Sequence, residues 1–298
     1  MTSWTKSCLS TPALALAIAA AVLAGCAEEE LPPVAAVSAQ PAELTLEFGR
    51  VVPVTLEWRM TAPLREGAEP MVFVHLLADD GEVLLTADHP FPGEWRVGET
   101  VTDELRLYHS ALAPPLPAGE HRLTVGLYEP GGDRWNLDAG SPAVARAEYP
   151  VATVAVPAER PALPRYAFTG DWSPVGLGED RQIRARRWLA AAGAFTVEEV
   201  PGPGEVWLEV LIPEAAEGWQ RIFDDPDADE QPAVRVIPGC GAEERAVAGV
   251  GRHAVSVPLD PAAGSCEIRL EANYQLVELE SFQKSVLSLE QLAWLPAG

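Results

Sequence analysis

Apolar and polar residues alternate with a period near two along most of the chain beyond residue 43, the pattern of half-buried strands rather than of helices. Leu44, Leu46 and Phe48 alternate with Thr45 and Glu47, and Val52, Val54, Leu56 and Trp58 with Thr55, Glu57 and Arg59. Met71 to Leu77 is apolar apart from His75, as expected of a strand covered on both faces. Asp79-Asp80-Gly81, Leu116-Pro117-Ala118-Gly119 and Pro130-Gly131-Gly132 punctuate the pattern as turns. Further strands are expected around Val101–Leu107, Leu123–Leu127 and Val144–Val154. About eight short strands separated by turns predict an antiparallel sandwich over residues 43–156.

A Pro-rich break, PAERPALP at 157–164, marks a linker, and strand patterning resumes over 165–298. Candidate strands there are Gly193–Val200, Val206–Ile212, Val234–Ile237, Ala254–Leu259, Ile268–Tyr274 and Val286–Leu295. The last changes phase, because Leu287 and Leu289 share a face and then Leu292 and Trp294 do. One extra residue near Glu290 or Gln291, a β-bulge, accounts for the shift. The fold class predicted is all-β, with two antiparallel β-sandwich domains.

The N-terminus follows another logic. Lys6 is the only charged residue before Glu28, and Pro12 to Leu23 is apolar but too short to span a bilayer. Leu23-Ala24-Gly25-Cys26 follows. This resembles the lipobox of bacterial lipoproteins, which implies a signal peptide over 1–25, cleavage before Cys26 and acylation of Cys26. Ala27, rather than Asp, after the cysteine is similar to the outer-membrane sorting default of Gram-negative lipoproteins. Residues 26–42, Pro-containing and without period, read as a lipidated tether. The lipid implies a membrane partner, and the location expected is the cell envelope.

Val72 to Leu77, together with Leu116 to Tyr128 (LPAGEHRLTVGLY), resembles an immunoglobulin-like module of bacterial envelope proteins, similar to one appended to membrane glycosyltransferases of the mannosyltransferase type. The resemblance implies a non-catalytic accessory module. The second half, with Phe168-Thr169-Gly170-Asp171-Trp172 at its start and a Leu-Ser-Leu strand at its end, is similar to jelly-roll accessory domains of envelope chains. Those carry an Asp-Arg pair before the last strand. This chain has Gln283-Lys284-Ser285 there, so that pair's role is not carried over.

Composition narrows the partners. The chain has 298 residues, 21 Lys+Arg against 44 Asp+Glu and a net charge of −23. Nucleic acid and a polybasic grip on anionic lipid are therefore poor fits. Removal of residues 1–25 takes away Lys6 and no acid. Beyond Cys8 and Cys26 the cysteines are Cys240 and Cys266, each at the edge of a strand-like run, and an exported protein favours their pairing as a disulfide.

Chemistry is sparse. The sequence has no Gly-x-Ser-x-Gly elbow, no His-Glu-x-x-His and no Walker loop, and no cofactor is expected. Asp225, Asp227 and Asp229 space hard oxygens as a Ca²⁺ loop does, but Glu230 and Val236 stand where an EF-hand needs Gly and Glu, so a solvated loop is the plainer alternative. Arg184, Arg186 and Trp188 share a strand face that suits an anionic sugar or phosphate, or pairs with the chain's own acids. Trp207 points away from the inward face of Val206, Leu208, Val210 and Ile212, toward either the other domain or a ligand. Trp172 and Trp219 fall at loops or strand ends, where sandwich lectins bind sugars. The function expected is a lipid-anchored, non-catalytic binding module, with glycan as a candidate ligand. A scaffolding lipoprotein that contacts an envelope protein, and a glycan hydrolase, are the alternatives.

Overall fold

The structure, a computed structural model, describes residues 31–177, 185–224, 231–260, 262 and 264–297. It is all-β. The first sandwich contains β1 (Ala35–Gln40), β2 (Glu43–Thr45), β3 (Val51–Met60), β4 (Met71–Leu77), β5 (Val83–Thr86), β6 (His89–Pro90), β7 (Thr100–Tyr108), β8 (Gly119–Tyr128), β9 (Arg134–Trp135), β10 (Leu137–Asp138) and β11 (Tyr149–Val156). One sheet has the order β10-β1-β3-β7 and faces another ordered β2-β11-β8-β4-β5, with β6 on β4 and β9 on β8. Alternation explains the core: Val54, Leu56, Trp58 and Met60 of β3 turn inward and meet Val72, Val74 and Leu76 of β4 and Leu123, Val125 and Leu127 of β8.

Residues 26–42, expected as an irregular tether, include a strand. Ala35–Gln40 is a strand that pairs antiparallel with β3, Ala35 opposite Met60 and Gln40 opposite Thr55. Its inward residues, Ala35, Val37 and Ala39, are small, so their alternation carries little hydrophobic signal although all three are buried.

The second sandwich contains β12 (Arg165–Trp172), β13 (Gly176–Leu177), β14 (Ala185–Glu198), β15 (Gly204–Ile212), β16 (Trp219–Phe223), β17 (Ala233–Pro238), β18 (Arg245–Ala248), β19 (Gly251–Leu259), β20 (Cys266–Ala272), β21 (Tyr274–Glu278), β22 (Lys284–Ser285) and β23 (Leu287–Pro296). Its large sheet runs β18-β17-β20-β14-β23-β15-β19, with β12 and β13 added to β14, and a small sheet runs β16-β21-β22. A disulfide joins Cys240, just after β17, to Cys266 at the start of β20.

The bulge in the last strand is present. Glu209 of β15 pairs with Gln291 and Val210 with Leu289, which leaves Glu290 as the extra residue. The shift keeps Leu287, Leu289, Leu292 and Trp294 all in the second core. It also marks a change of neighbours. Before it, β23 pairs with β14 through Leu287 to Leu289. Beyond it, the edge of β23 away from β15 is bonded by the first sandwich. Ala111 donates its N–H to the Leu292 carbonyl at 2.7 Å, and the Trp294 N–H donates to the Gly49 carbonyl at 2.7 Å. The Leu292 N–H donates to Ser110 Oγ at 3.1 Å, and Arg50 Nη1 donates to the Trp294 carbonyl at 2.8 Å. Unpaired strand edges are otherwise a liability, and here the neighbouring domain closes one. Val51, Tyr108 and Ala293 pack between the two sheets, with Trp207 against them. Residues Pro33–Gly298 accordingly form one compact unit.

Candidate functional site

The small sheet of the second sandwich leaves a cleft beside the large one. A cavity of about 420 Å³ is lined by Trp188 of β14, Pro213, Glu214 and Ala216 after β15, Trp219 of β16, Leu276 of β21, and Gln283, Lys284 and Ser285 around β22. That volume lies in the range of small-molecule sites, roughly 300–1,000 Å³. Local chemistry builds each wall. The Trp188 N–H donates to Ser173 Oγ at 2.9 Å, which fixes that strand against the segment after β12. Trp219 opens β16 with its N–H on the Ala216 carbonyl at 3.0 Å, and pairs with Glu278 across the small sheet. The Ser285 hydroxyl is shielded from solvent without a hydrogen-bond partner. Two indoles, an aliphatic floor and a few polar groups make a surface suited to the mixed apolar and hydroxylated faces of a sugar ring.

A hairpin tip borders the cleft. Leu279 donates its N–H to the Gly218 carbonyl at 2.9 Å, which holds the tip beside Trp219. At that tip Phe282 is 74% exposed and adopts a φ of 58°, a left-handed backbone conformation unusual for an aromatic residue. Strained residues of this kind gather at binding sites, since something must hold them.

The residues singled out from the sequence separate into groups. Trp188 and Trp219 meet in the cavity, and the Arg186 guanidinium stands 5.9 Å from the Trp188 ring centre. Trp172 packs elsewhere, edge-on to Phe168 at 5.5 Å, and its Nε1 donates to the Ala194 carbonyl at 3.1 Å. Trp207 lies at the junction with the first sandwich, where Arg106 covers its ring at 4.8 Å. Of the two roles open to it, the domain contact is the one it fills. Cys26, Arg184, Asp225, Asp227 and Asp229 lie outside the described residues. Among the described residues no group of three or more His, Cys, Asp or Glu is placed to hold a metal ion. Glu214, Gln283 and Ser285 were not legible as site residues, since they are ordinary polar residues that only the sheet topology gathers.

A second cleft of about 680 Å³ lies beside the disulfide, lined by Pro203, Glu205, Cys240, Asp260 and Pro296 among others. Among the described residues it has no aromatic wall, and its Asp260 accepts the Ala262 N–H at 2.8 Å in a local turn.

The first sandwich holds two buried polar networks. His75 Nδ1 lies 3.0 Å from Glu148 Oε1, which also accepts from Thr124 Oγ1 at 2.6 Å. Burial works against the Glu148 carboxylate, but the hydrogen bonds from His75 and Thr124 outweigh it and hold its pKa below the ordinary value. His89 Nε2 lies 2.9 Å from Asp103 Oδ2 and its Nδ1 2.8 Å from the Ala87 carbonyl. Both groups accept, so both ring nitrogens donate and the imidazolium is favoured. Burial opposes that charge, yet Asp103, Ala87 and Asp88 together raise the His89 pKa. Both networks brace strands and open onto no cleft described above.

No protein-family model matches the chain, and no curated protein does. Among solved structures, red sea bream transglutaminase is similar over 78% of this chain and 27% of its own, at 12% identity and a TM-score of 0.24. The chain thus spans about a quarter of that structure's length, and a likeness of this degree brings neither activity nor site residues with it.

Proposed function

We propose that the chain is a lipid-anchored cell-envelope protein that binds glycan through its second sandwich and carries out no catalysis. The observation that supports this most is the cavity between Trp188 and Trp219, an aromatic site of small-molecule size with hydrogen-bonding groups on its walls. The immunoglobulin-like first sandwich acts as a rigid mount. The Leu23-Ala24-Gly25-Cys26 sequence supports the anchor, through diacylglycerol on Cys26. Two or three acyl chains, at about 0.8 kcal/mol per buried methylene, hold a protein firmly to a membrane.

A glycan array probed with the full chain in detergent tests the binding. Reproducible binding to a subset of glycans is expected, lost on Trp188→Ala and on Trp219→Ala and retained on Trp172→Phe. Uniform silence of the folded protein, or binding indifferent to both alanine variants, overturns it. Intact mass of protein from bacterial membranes tests the anchor: acylated product beginning at Cys26 is expected, and unprocessed or unacylated chain counts against it.

A further inference from the structure

The described cations of the second sandwich fall into two sets. Arg165, Arg235, Arg245, Arg252 and Arg269 each have a carboxylate within ion-pair distance. Arg186, Arg221 and Lys284 have none among the described residues, and all three surround the Trp188–Trp219 cavity. Lys284 lines it, Arg186 stands beside Trp188, and Arg221 donates Nη2 to the carbonyl of the lining residue Pro213 at 2.5 Å. The Arg221 Nε is buried with no partner, and its guanidinium covers Tyr274 at 5.1 Å. Arg187 is also without a carboxylate, but it covers Phe168 at 4.4 Å and donates to the Ser173 carbonyl, on the opposite face of β14 from Trp188. Glu214 is the acid on the cavity wall.

This distribution runs against the composition. With 44 acids to 21 bases, a cation has partners to spare, and in the second sandwich the described cations away from the cavity, Arg187 apart, have one within ion-pair distance. Lys284 is also the only lysine beyond Lys6. Among the described residues the cavity thus gathers Lys284, Arg186 and Arg221 about the lining acid Glu214, and an aromatic pocket bordered by three cations fits an anionic ligand.

We infer that the cavity takes a saccharide bearing an anionic group, carboxylate or phosphate. The sugar ring lies against Trp188 and Trp219, and Lys284 with Arg186 holds the anion. The inference rests on the cavity being a glycan site and adds the class of glycan. An ammonium serves either anion as a point charge, so the chemistry shared is the negative group on a pyranose.

Calorimetric titration of the full chain tests it with three probes: a glucuronate-containing disaccharide, the same disaccharide with its carboxyl reduced to the alcohol, and a 6-phosphorylated disaccharide. At least one anionic probe is expected to bind about tenfold more tightly than the reduced one, as one direct charge contact allows. The tighter of the two anionic probes identifies the group. Lys284→Gln is expected to remove most of that preference. Raising salt to about 0.5 M is expected to narrow the same gap in the unaltered protein, a readout independent of how the variant folds. Equal or tighter binding of the reduced sugar overturns the inference and leaves the glycan reading standing. Absence of binding to all three, with a silent array, removes both.

Discussion

The Arg106 guanidinium lies 4.8 Å over the Trp207 indole, a contact made by β7 of one sandwich with β15 of the other. Val51, Tyr108 and Ala293 close around it. The indole face attracts the cation, and the packed junction excludes enough water for that attraction to count.

Removal of the indole should therefore loosen the whole molecule rather than one domain. Trp207→Ala is expected to cost about 3 kcal/mol, the size of a large aromatic deletion from a packed site. A double-mutant cycle with Arg106→Ala should give a coupling of about 0.5–2 kcal/mol. Calorimetry is expected to show one unfolding transition for the unaltered chain and two for Trp207→Ala. A single unshifted transition in the variant would mean that the backbone bonds at Leu292 and Trp294 alone hold the junction.

The Cys240–Cys266 bridge closes a loop between β17 and β20, strands that also pair directly. The paired variant Cys240→Ser with Cys266→Ser is expected to lose about 3 kcal/mol in urea unfolding, the chain-entropy value for a loop of this size. Reductant should destabilise the unaltered protein similarly and leave the variant unchanged. Two titratable thiols in folded, unreduced protein would sink the expectation.

Strand placement was largely legible, because alternation at Val54–Trp58, Val206–Ile212 and Leu287–Trp294 reports which face is inward; the phase change put a bulge near Glu290 or Gln291, and the strand pairing makes Glu290 the extra residue. Trp207 was legible as an outward residue, although its partner was not, since Arg106 is about a hundred residues away in sequence. The first strand escaped because Ala35 and Ala39 bury as well as leucine does but score as weakly apolar. The cavity escaped as a whole. Its walls come from residues 188, 213–219, 276 and 283–285, and only the β16-β21-β22 sheet brings them together.

The His89–Asp103 pair makes stability depend on pH in a stated direction. The folded His89 pKa lies above its unfolded value of about 6.5, so its contribution is full below that value and is lost as pH rises through the folded pKa. His109 acts in the opposite sense. Burial, with Arg160 nearby, lowers its pKa, so its contribution is present above the unfolded value and lost as pH falls through the folded one. His89→Gln should isolate the first effect. Melting temperatures measured from acid to mildly alkaline pH are expected to fall more steeply with rising pH in the unaltered chain than in the variant. Parallel curves would show that folding does not raise the His89 pKa.

Gly126 is the position where the first sandwich tolerates least. It pairs directly with Phe73 across β4 and β8, and the ring lies over it. A Cβ built on Gly126 would sit 2.1 Å from Phe73 Cζ and 2.5 Å from the Ala147 carbonyl oxygen. The ring has little room to retreat, because it stacks on His75 at 4.9 Å and lies beneath Arg134 at 4.5 Å. Gly126→Ala is therefore expected to destabilise by about 1–3 kcal/mol through overpacking. Phe73→Leu in the same chain should recover part of that loss, because it removes the atoms that clash and leaves only the carbonyl contact. The sign of that recovery separates side-chain crowding from a backbone effect. If Phe73→Leu adds its own cost to Gly126→Ala with no relief, the ring does not cover the glycine in solution and the carbonyl of Ala147 alone sets the limit.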